Sequence, residues 1–450
     1  MSPQLVAILG LVVMFVVATA LPINMGAVAF ALAFLVGSVF VGMSANQIIA
    51  GFPGDLFITL VGITYLFAIA QKNGTIDFLV HAAVRAVRGH IAAIPWVMFT
   101  VAAALTAVGA VSPAAVAILA PVALQFARQY NINPLMMGLL VIHGAQGGGF
   151  SPISIYGGIT NQIVARSGLP SDEIALFLAS LVFNLLVSIG LFFAFGGLDL
   201  LRQRVGTAPA SPDPEIDDTG GTANEMQIEG YGTSPAAQLT APAPQAIAPG
   251  HRVTPEQIAT LVGLVALATG ALAFNLNVGL VAMSVAVVLA LISPYEQKGA
   301  VDKVSWSTVL LVGGVITYIA VVQKSGAIDA VGQSVSGIGA PLLAALLLCY
   351  IGGVVSAFAS SVAVLGATIP LAVPFLQLGQ ISSVGMIAAL AIASTIVDVS
   401  PFSTNGALVV ANAAPEERDS VYKQFLIYSI LVIIVGPALA WLLLIVPGWL

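Results

Sequence analysis

GGGFSPISIYGG, Gly147 to Gly158, is the stretch whose reading decides the fold. It follows the apolar run LMMGLLVIH (Leu135 to His143) and leads into a second apolar piece, so it reads as a membrane helix interrupted halfway. Glycine and proline weaken a helix interior. Inside a bilayer such a break is tolerated only where protein or a water-filled cavity satisfies the freed backbone groups. DVSPFSTNGA, Asp398 to Ala407, makes the same break near the other end of the chain. Two interrupted helices of one pattern point to a binding site built from the breaks themselves.

The composition sets the solvent. Of 450 residues, 59% are hydrophobic and 7% charged, with mean hydropathy +1.05, whereas soluble domains carry about 25% charged residues. The chain is expected to be an all-α polytopic membrane protein whose partner is the lipid bilayer, since no periodicity suggests a barrel. We expect no nucleic-acid partner; much of the acid behind the net charge of −6 sits in one linker. The single cysteine, Cys349, excludes an intramolecular disulfide framework and makes no metal site. MSPQLVAILGLVVMFVVATALP lacks the positive n-region of a signal peptide and has a later counterpart, so it reads as the first transmembrane helix.

That counterpart belongs to a collinear repeat. LPINMGAVAFALAF (from Leu21) matches FNLNVGLVAMSVAV (from Phe274), pairing Asn24 with Asn277 and Gly26 with Gly279 at an offset of 253. QKNGTID (from Gln71) matches QKSGAID (from Gln323) at 252; SPIS (from Ser151) matches SPFS (from Ser400) at 249, an offset shared by Ser112 with Ser361 and Pro121 with Pro370. Residues 1–198 and 253–450 are therefore read as two repeats. Between them 199–252, rich in Pro, Gly, Ala and acid, lacks an apolar pattern to pack and is read as a flexible linker.

Hydropathy places five spans per repeat, at about 3–21, 24–43, 55–71, 133–166 (broken) and 172–198, then 254–273, 277–294, 305–323, 383–413 (broken) and 420–446. Segments 91–128 and 340–378 are too long for one span and break at AVSPAA and FASSVA, so each reads as a re-entrant hairpin. With five spans each, the repeats are inverted. Eleven of the thirteen Lys and Arg residues then share one side, leaving Arg166 and Lys324 on the other. The positive-inside rule makes the first side cytoplasmic: a bacterial-type inner membrane protein with both termini outside and the linker in the cytoplasm. Trp96, Trp306, Trp441 and Trp449 fall near span ends, where an aromatic belt is expected. Segments 72–90 and 324–339 read as interfacial amphipathic helices, carrying His81 and His90 in the first.

Serine before proline is a helix-start signal, the serine oxygen capping free N–H groups and proline suiting the first turn. Ser112-Pro113, Ser151-Pro152 and Ser400-Pro401 sit mid-segment, and Ser360-Ser361 takes the equivalent place in the second hairpin. Four half-helices beginning near the midplane would each bring about +0.5 e. Together they form an anion site without lysine or arginine. Carboxylates would be held by those N-termini and by Ser112, Ser151, Ser154, Ser360, Ser361, Ser400, Ser403, Thr404 and Asn405. One Ser-Pro pair means little, as Ser211-Pro212 and Ser234-Pro235 in the linker show; the symmetric set favours a site. A buried dianion needs compensating cations, and unwound carbonyls beside the breaks suit sodium. Asp398, the one acid deep in a span, is the candidate for a cation or gating role. His143 reads as a hydrogen-bonded interior histidine, with a proton relay as the alternative.

With its inverted repeats, hairpins and the motifs SPIS and SPFSTNGA, the chain resembles the divalent anion:sodium symporter superfamily, most of all its malonate (MatC-type dicarboxylate) carrier branch. The resemblance implies that the hairpin-tip triplets fall on Val111-Ser112-Pro113 and Ser360-Ser361-Val362, and the broken-helix pairs on Ser151-Pro152 and Ser400-Pro401. Sodium would then lie among Ala107, Ala110, Ser112 and the Phe150 carbonyl on one side, and among Ser356, Ala359, Ser361 and the Val399 carbonyl on the other. Neither tip has the family's asparagine, and Asn405 offers an amide in its place. The resemblance also implies elevator motion and frequently a homodimer.

The leading expectation is thus a non-enzymatic, sodium-coupled secondary carrier for small dicarboxylates, malonate being the best single guess. The alternatives are a proton-coupled or exchange carrier of another organic anion, and an anion channel. An intramembrane hydrolase using Ser112 with His143 has no oriented Ser/His/Asp spacing behind it.

Overall fold

A computed structural model describes residues 2–86, 90–202, 253–294, 298–328, 330, 341–357, 361–377 and 379–448. Among them the chain is helical, with short 3-10 and π turns and no strand. Most of the linker (203–252), the later part of the second amphipathic segment, the second hairpin tip with Ala359 and Ser360, and Trp449 lie outside the described residues.

Local signals start the helices where the sequence places them. Ser2 accepts from the Leu5 N–H and opens α1 (Pro3–Ala20) with proline at its head. The repeat-related Asn24 and Asn277 cap α2 (Met25–Leu35) and α13 (Val278–Ile292). Beyond Leu35 the helix runs on as a π turn, Val36–Val41, and stops at Gly42, whose φ of 73° needs a residue without Cβ. A short α3 (Ala45–Ala50) follows, unforeseen from hydropathy; its signal is the reciprocal capping box of Ser44 and Gln47. Then come α4 (Gly54–Lys72) and α5 (Thr75–Ala86), the latter in the place read as amphipathic.

The segment read as the first hairpin forms two helices packed on each other, α6 (Ile94–Ala107) and α7 (Ser112–Gln129). The first broken span is α8 (Pro134–Gly148) and α9 (Ile155–Arg166), followed by α10 (Glu173–Ala194). A further turn, α11 (Gly197–Arg202), runs past Asp199, so the ordered helix extends slightly into what was read as linker. The second half provides α12 (Pro255–Leu272), α14 (Trp306–Lys324), the paired α15 (Pro341–Ser356) and α16 (Ser361–Leu376), the broken α17 (Ser383–Ile396) and α18 (Thr404–Ala411), and α19 (Arg418–Leu444).

Five of these, α4, α10, α12, α14 and α19, are long and apolar enough to cross a membrane, and shorter apolar helices accompany them. Outward faces of α12 and α19 present Ile258, Val262, Val265, Ile427, Leu431 and Ile434, as expected of helices bathed in lipid. This is a multi-pass membrane protein.

Two close crossings join the halves. A Cβ on Gly26 of α2 would strike the Leu310 carbonyl of α14, and one on Gly314 would strike the Gly26 carbonyl. In α4, a Cβ on Gly62 would lie 2.5 Å from the Gly279 carbonyl of α13. Small residues let membrane helices approach backbone to backbone. Gly26 and Gly279 are repeat partners, as are Gly62 and Gly314, so each crossing pairs one half with the counterpart of the other.

Polar contacts tie the helix ends together. Asn24 Nδ2 donates to Ser307 Oγ (2.9 Å), Lys72 Nζ to the Lys298 carbonyl (2.6 Å) and Asn73 Nδ2 to Thr260 Oγ1 (2.7 Å). At the other end of α4, Asp55 pairs with Arg166 at 3.2 Å.

Candidate functional site

The two breaks are built alike. Residues 149–154 separate α8 from α9, and 397–403 separate α17 from α18. Ser154 and Ser403 occupy the cap positions, accepting from the N–H groups of Gly157 and Gly406. Their hydroxyls donate to matching carbonyls: Ser154 to Gly149 (2.5 Å) and Ser151 (2.6 Å), Ser403 to Asp398 and Ser400 (2.7 Å each). A Cβ on Gly157 or Gly406 would collide with the carbonyl of Ser151 or Ser400 respectively, so the chain folds this tightly only with glycine there.

This corrects the helix-start reading. The capping serine is the second of each SPxS, not the one before proline. Ser151 and Ser400 lie inside the breaks, because proline's missing N–H and fixed φ fit the turn that precedes the half-helix as well as they fit a first helical turn. Ser151 Oγ instead donates to the Ala107 carbonyl, tying the first break to the first hairpin. Ser400 Oγ accepts from the Phe402 N–H at 3.2 Å. In the hairpin, Val111 holds the cap position of α7 without a side-chain bond, and Ser112 and Pro113 form the first helical positions. The Ser112 hydroxyl is therefore free to face another element.

That element is α18. Asn405 Nδ2 lies 2.9 Å from Ser112 Oγ and 3.0 Å from Asp398 Oδ2. The N-terminal ends of α7 and α18 thus meet, and their unpaired N–H groups and dipoles converge. All three residues are buried, as are Ser151, Ser154, Ser356, Ser361, Ser400 and Ser403. Among the described residues Asn405 Oδ1 has no hydrogen-bond partner. Each hairpin's second helix packs against the other half's second half-helix, α7 on α18 and α16 on α9. In the second hairpin Ser356 Oγ lies 3.0 Å from Ser361 Oγ. Thr404 is the sequence-expected residue that stays apart: it is exposed.

The expected sodium-side groups fall at these same joints. Ala110 and Ser112 line a tight recess, too narrow for a water molecule, together with Gly149, Ile155 and Tyr156. The Phe150 and Val399 carbonyls lie beside Gly157 and Gly406. Among the described residues no cluster of three His, Cys, Asp or Glu side chains could hold a metal; the joints offer oxygens from backbone, hydroxyl and amide, and the one carboxylate of Asp398.

Two groups escaped the sequence reading. Gln146, fully buried, donates from Nε2 to the Thr395 carbonyl at 2.8 Å, linking α8 to α17, and its Oε1 has no partner among the described residues. Tyr156 is buried in the recess. Both were legible through the repeat: Gln146 matches Thr395, and Tyr156 matches Asn405, at the offset of 249. His143 is the interior histidine expected, with Nδ1 2.9 Å from Asn184 Oδ1 and Nε2 2.8 Å from the Tyr428 hydroxyl. Both ring nitrogens are engaged elsewhere, so it activates no serine here.

Packed helix pairs and two broken helices, with α7 and α18 meeting at their N-termini, define an all-helical membrane fold. The chain is similar in structure to the YdaH transporter of Alcanivorax borkumensis, whose crystal structure revealed an unusual topology, with a TM-score of 0.56 at 12% identity over 98% of each chain. In sequence, residues 1–149 match the family described as the dicarboxylate carrier protein MatC N-terminus, and over those residues the resemblance to MatC-type carriers is borne out. A comparison with curated protein sequences finds no match.

Proposed function

We propose that the protein is a secondary active carrier of small dicarboxylates, malonate first among them, coupled to sodium. The observation that carries this reading is the junction of Ser112 and Asn405, where two helix N-termini converge in a buried, lysine-free pocket. The match of residues 1–149 to a dicarboxylate carrier family supports the substrate class.

Carboxylates are held by the hydroxyls and N–H groups around Ser112, Pro113, Ser151, Ser154, Ser361, Ser400, Ser403 and Asn405. Coupling follows from charge. Asp398 places a carboxylate within one amide of the anion pocket, and two like charges in low dielectric repel unless a cation enters. Ala107, Ala110, Ser112 and the Phe150 carbonyl form one sodium position. Ser356, Ser361 and the Val399 carbonyl form the other, with Asp398 beside it. The unpartnered Asn405 Oδ1 supplies an oxygen suited to a hard cation.

The two halves are inverted in the membrane. End contacts support this: α2 and α14 begin side by side at Asn24 and Ser307, while Lys72 at the end of α4 reaches Lys298 just beyond α13. With α2 and α4 antiparallel in sequence, α13 starts on the side opposite its repeat partner α2. The charge bias then sets the termini outside a bacterial-type inner membrane and the 199–252 linker in the cytoplasm. The glycine crossings lock α2, α4, α13 and α14 into a scaffold, against which hairpins and broken helices move as an elevator. A homodimer belongs to the same reading.

Uptake into proteoliposomes, with choline replacing sodium at constant pH across C3 and C4 diacids, tests it. Saturable uptake with counterflow that collapses in choline is expected. Persistence without sodium but loss with the proton gradient would favour proton coupling through Asp398. Conduction without counterflow would make it a channel.

A further inference from the structure

One exposed carboxylate joins the scaffold to the elements that move against it. Asp55 lies in the first turn of α4, a scaffold helix, while Gln162 and Arg166 lie toward the end of α9, the first half's second half-helix. Asp55 Oδ2 accepts from Gln162 Nε2 at 2.8 Å and from Arg166 Nη2 at 3.2 Å, and α4 packs on α9. The repeat supplies the comparison. At its offsets Asp55 corresponds to Ser307, Gln162 to Ala411 and Arg166 to Pro415, and none of these three is charged. Ser307 bonds Asn24 within the scaffold. Arg418, the basic residue nearest Pro415 in sequence, is held by the Ala411 and Ala413 carbonyls of its own segment. α14 makes no packing on α18 comparable to that of α4 on α9. Among the described residues the tie at the start of α4 therefore has no counterpart at the start of α14.

Inverted repeats alternate access by moving one set of helices against the other around a fixed site, so a contact made by one half in this conformation passes to its counterpart in the opposite one. We infer that Asp55, Gln162 and Arg166 form a one-sided latch. It holds α9 to α4 in this conformation, opens when the carrier turns over, and has no equivalent in the opposite conformation. The side chains of Asp55 and Arg166 are 57% and 42% exposed, so the latch shifts the ratio of the two conformations by up to about fivefold, the range of an exposed ion pair. A tie of that size biases the resting state and still lets the carrier cycle. The inference rests on the elevator reading above.

The test is cross-linking of the full-length protein in liposomes with a bifunctional maleimide. A first cysteine pair, Asp55→Cys with Arg166→Cys, reports this conformation; a second, Ser307→Cys with Pro415→Cys, reports the opposite one. Ser307 and Pro415 are exposed, and the native Cys349 is fully buried. The second pair is then combined with Asp55→Asn or with Arg166→Gln. Each neutralisation is expected to speed cross-linking of the second pair by up to about fivefold, and the exchange of charges, Asp55→Arg with Arg166→Asp, to slow it again. Raising salt should speed it while the latch is intact, because exposed charges are screened, and change nothing once Asp55→Asn is present. If both neutral variants cross-link at the rate of the intact latch with the same salt response, the latch is overturned and the elevator reading stands. If the first pair cross-links and the second does so in no variant, the elevator reading falls and takes the latch with it. Failure of the first pair to cross-link overturns the latch outright.

Discussion

Asn405 and Ser112, 293 positions apart, are joined by a 2.9 Å hydrogen bond between the head of the second half-helix and the head of the first hairpin's returning helix. The same amide holds Asp398 at 3.0 Å, so one side chain sets the distance between the halves and the orientation of the buried acid.

Asn405→Ala leaves both a hydroxyl and a carboxylate without their donor, and a buried group so orphaned costs about 1–3 kcal/mol. Uptake is expected to fall at least tenfold and the detergent melting temperature to drop. Wild-type uptake by a folded Asn405→Ala protein would remove the residue from the site.

Four serines of the site are expected to separate into two kinds. Ser154→Ala and Ser403→Ala remove helix caps and should each lower stability by about 1 kcal/mol, read as a lower unfolding midpoint. Ser400→Ala and Ser361→Ala spare the caps, so their loss should appear in uptake far more than in melting. Ser211→Ala in the linker should change neither.

At the crossing of α2 and α14, Gly314→Leu must push a side chain into the Gly26 backbone. Overpacking of this kind costs about 1–3 kcal/mol or more, so broadened size-exclusion profiles and a lower melting temperature are expected. Gly54→Ala, facing open space at the start of α4, should be tolerated, and comparable damage from both would show that the crossing is not the reason.

Deleting 206–248 is expected to leave uptake largely intact, because its composition lacks an apolar face to bury. Complete loss of transport in a well-expressed deletion would contradict the linker reading.

Hydropathy and the repeat alone determined the helical membrane class, the places where α8 and α17 stop, and the helix starts at Ser112 and Ser361, because a bilayer leaves a chain few ways to satisfy its backbone. They also singled out Asn405 and Asp398, since a polar group in such a run stands out against its neighbours. They misassigned the caps: serine before proline and serine three residues later both look like helix starts, and only the folded turn shows that Ser154 and Ser403 reach the free N–H groups. Tertiary structure alone decided which helix ends meet, the heads at Ser112 and Asn405 and the C-terminal turns at Gln146 and Thr395, and that Thr404 stays outside. Those partners lie hundreds of residues apart, and no local pattern encodes a distance that is fixed by how whole helices pack.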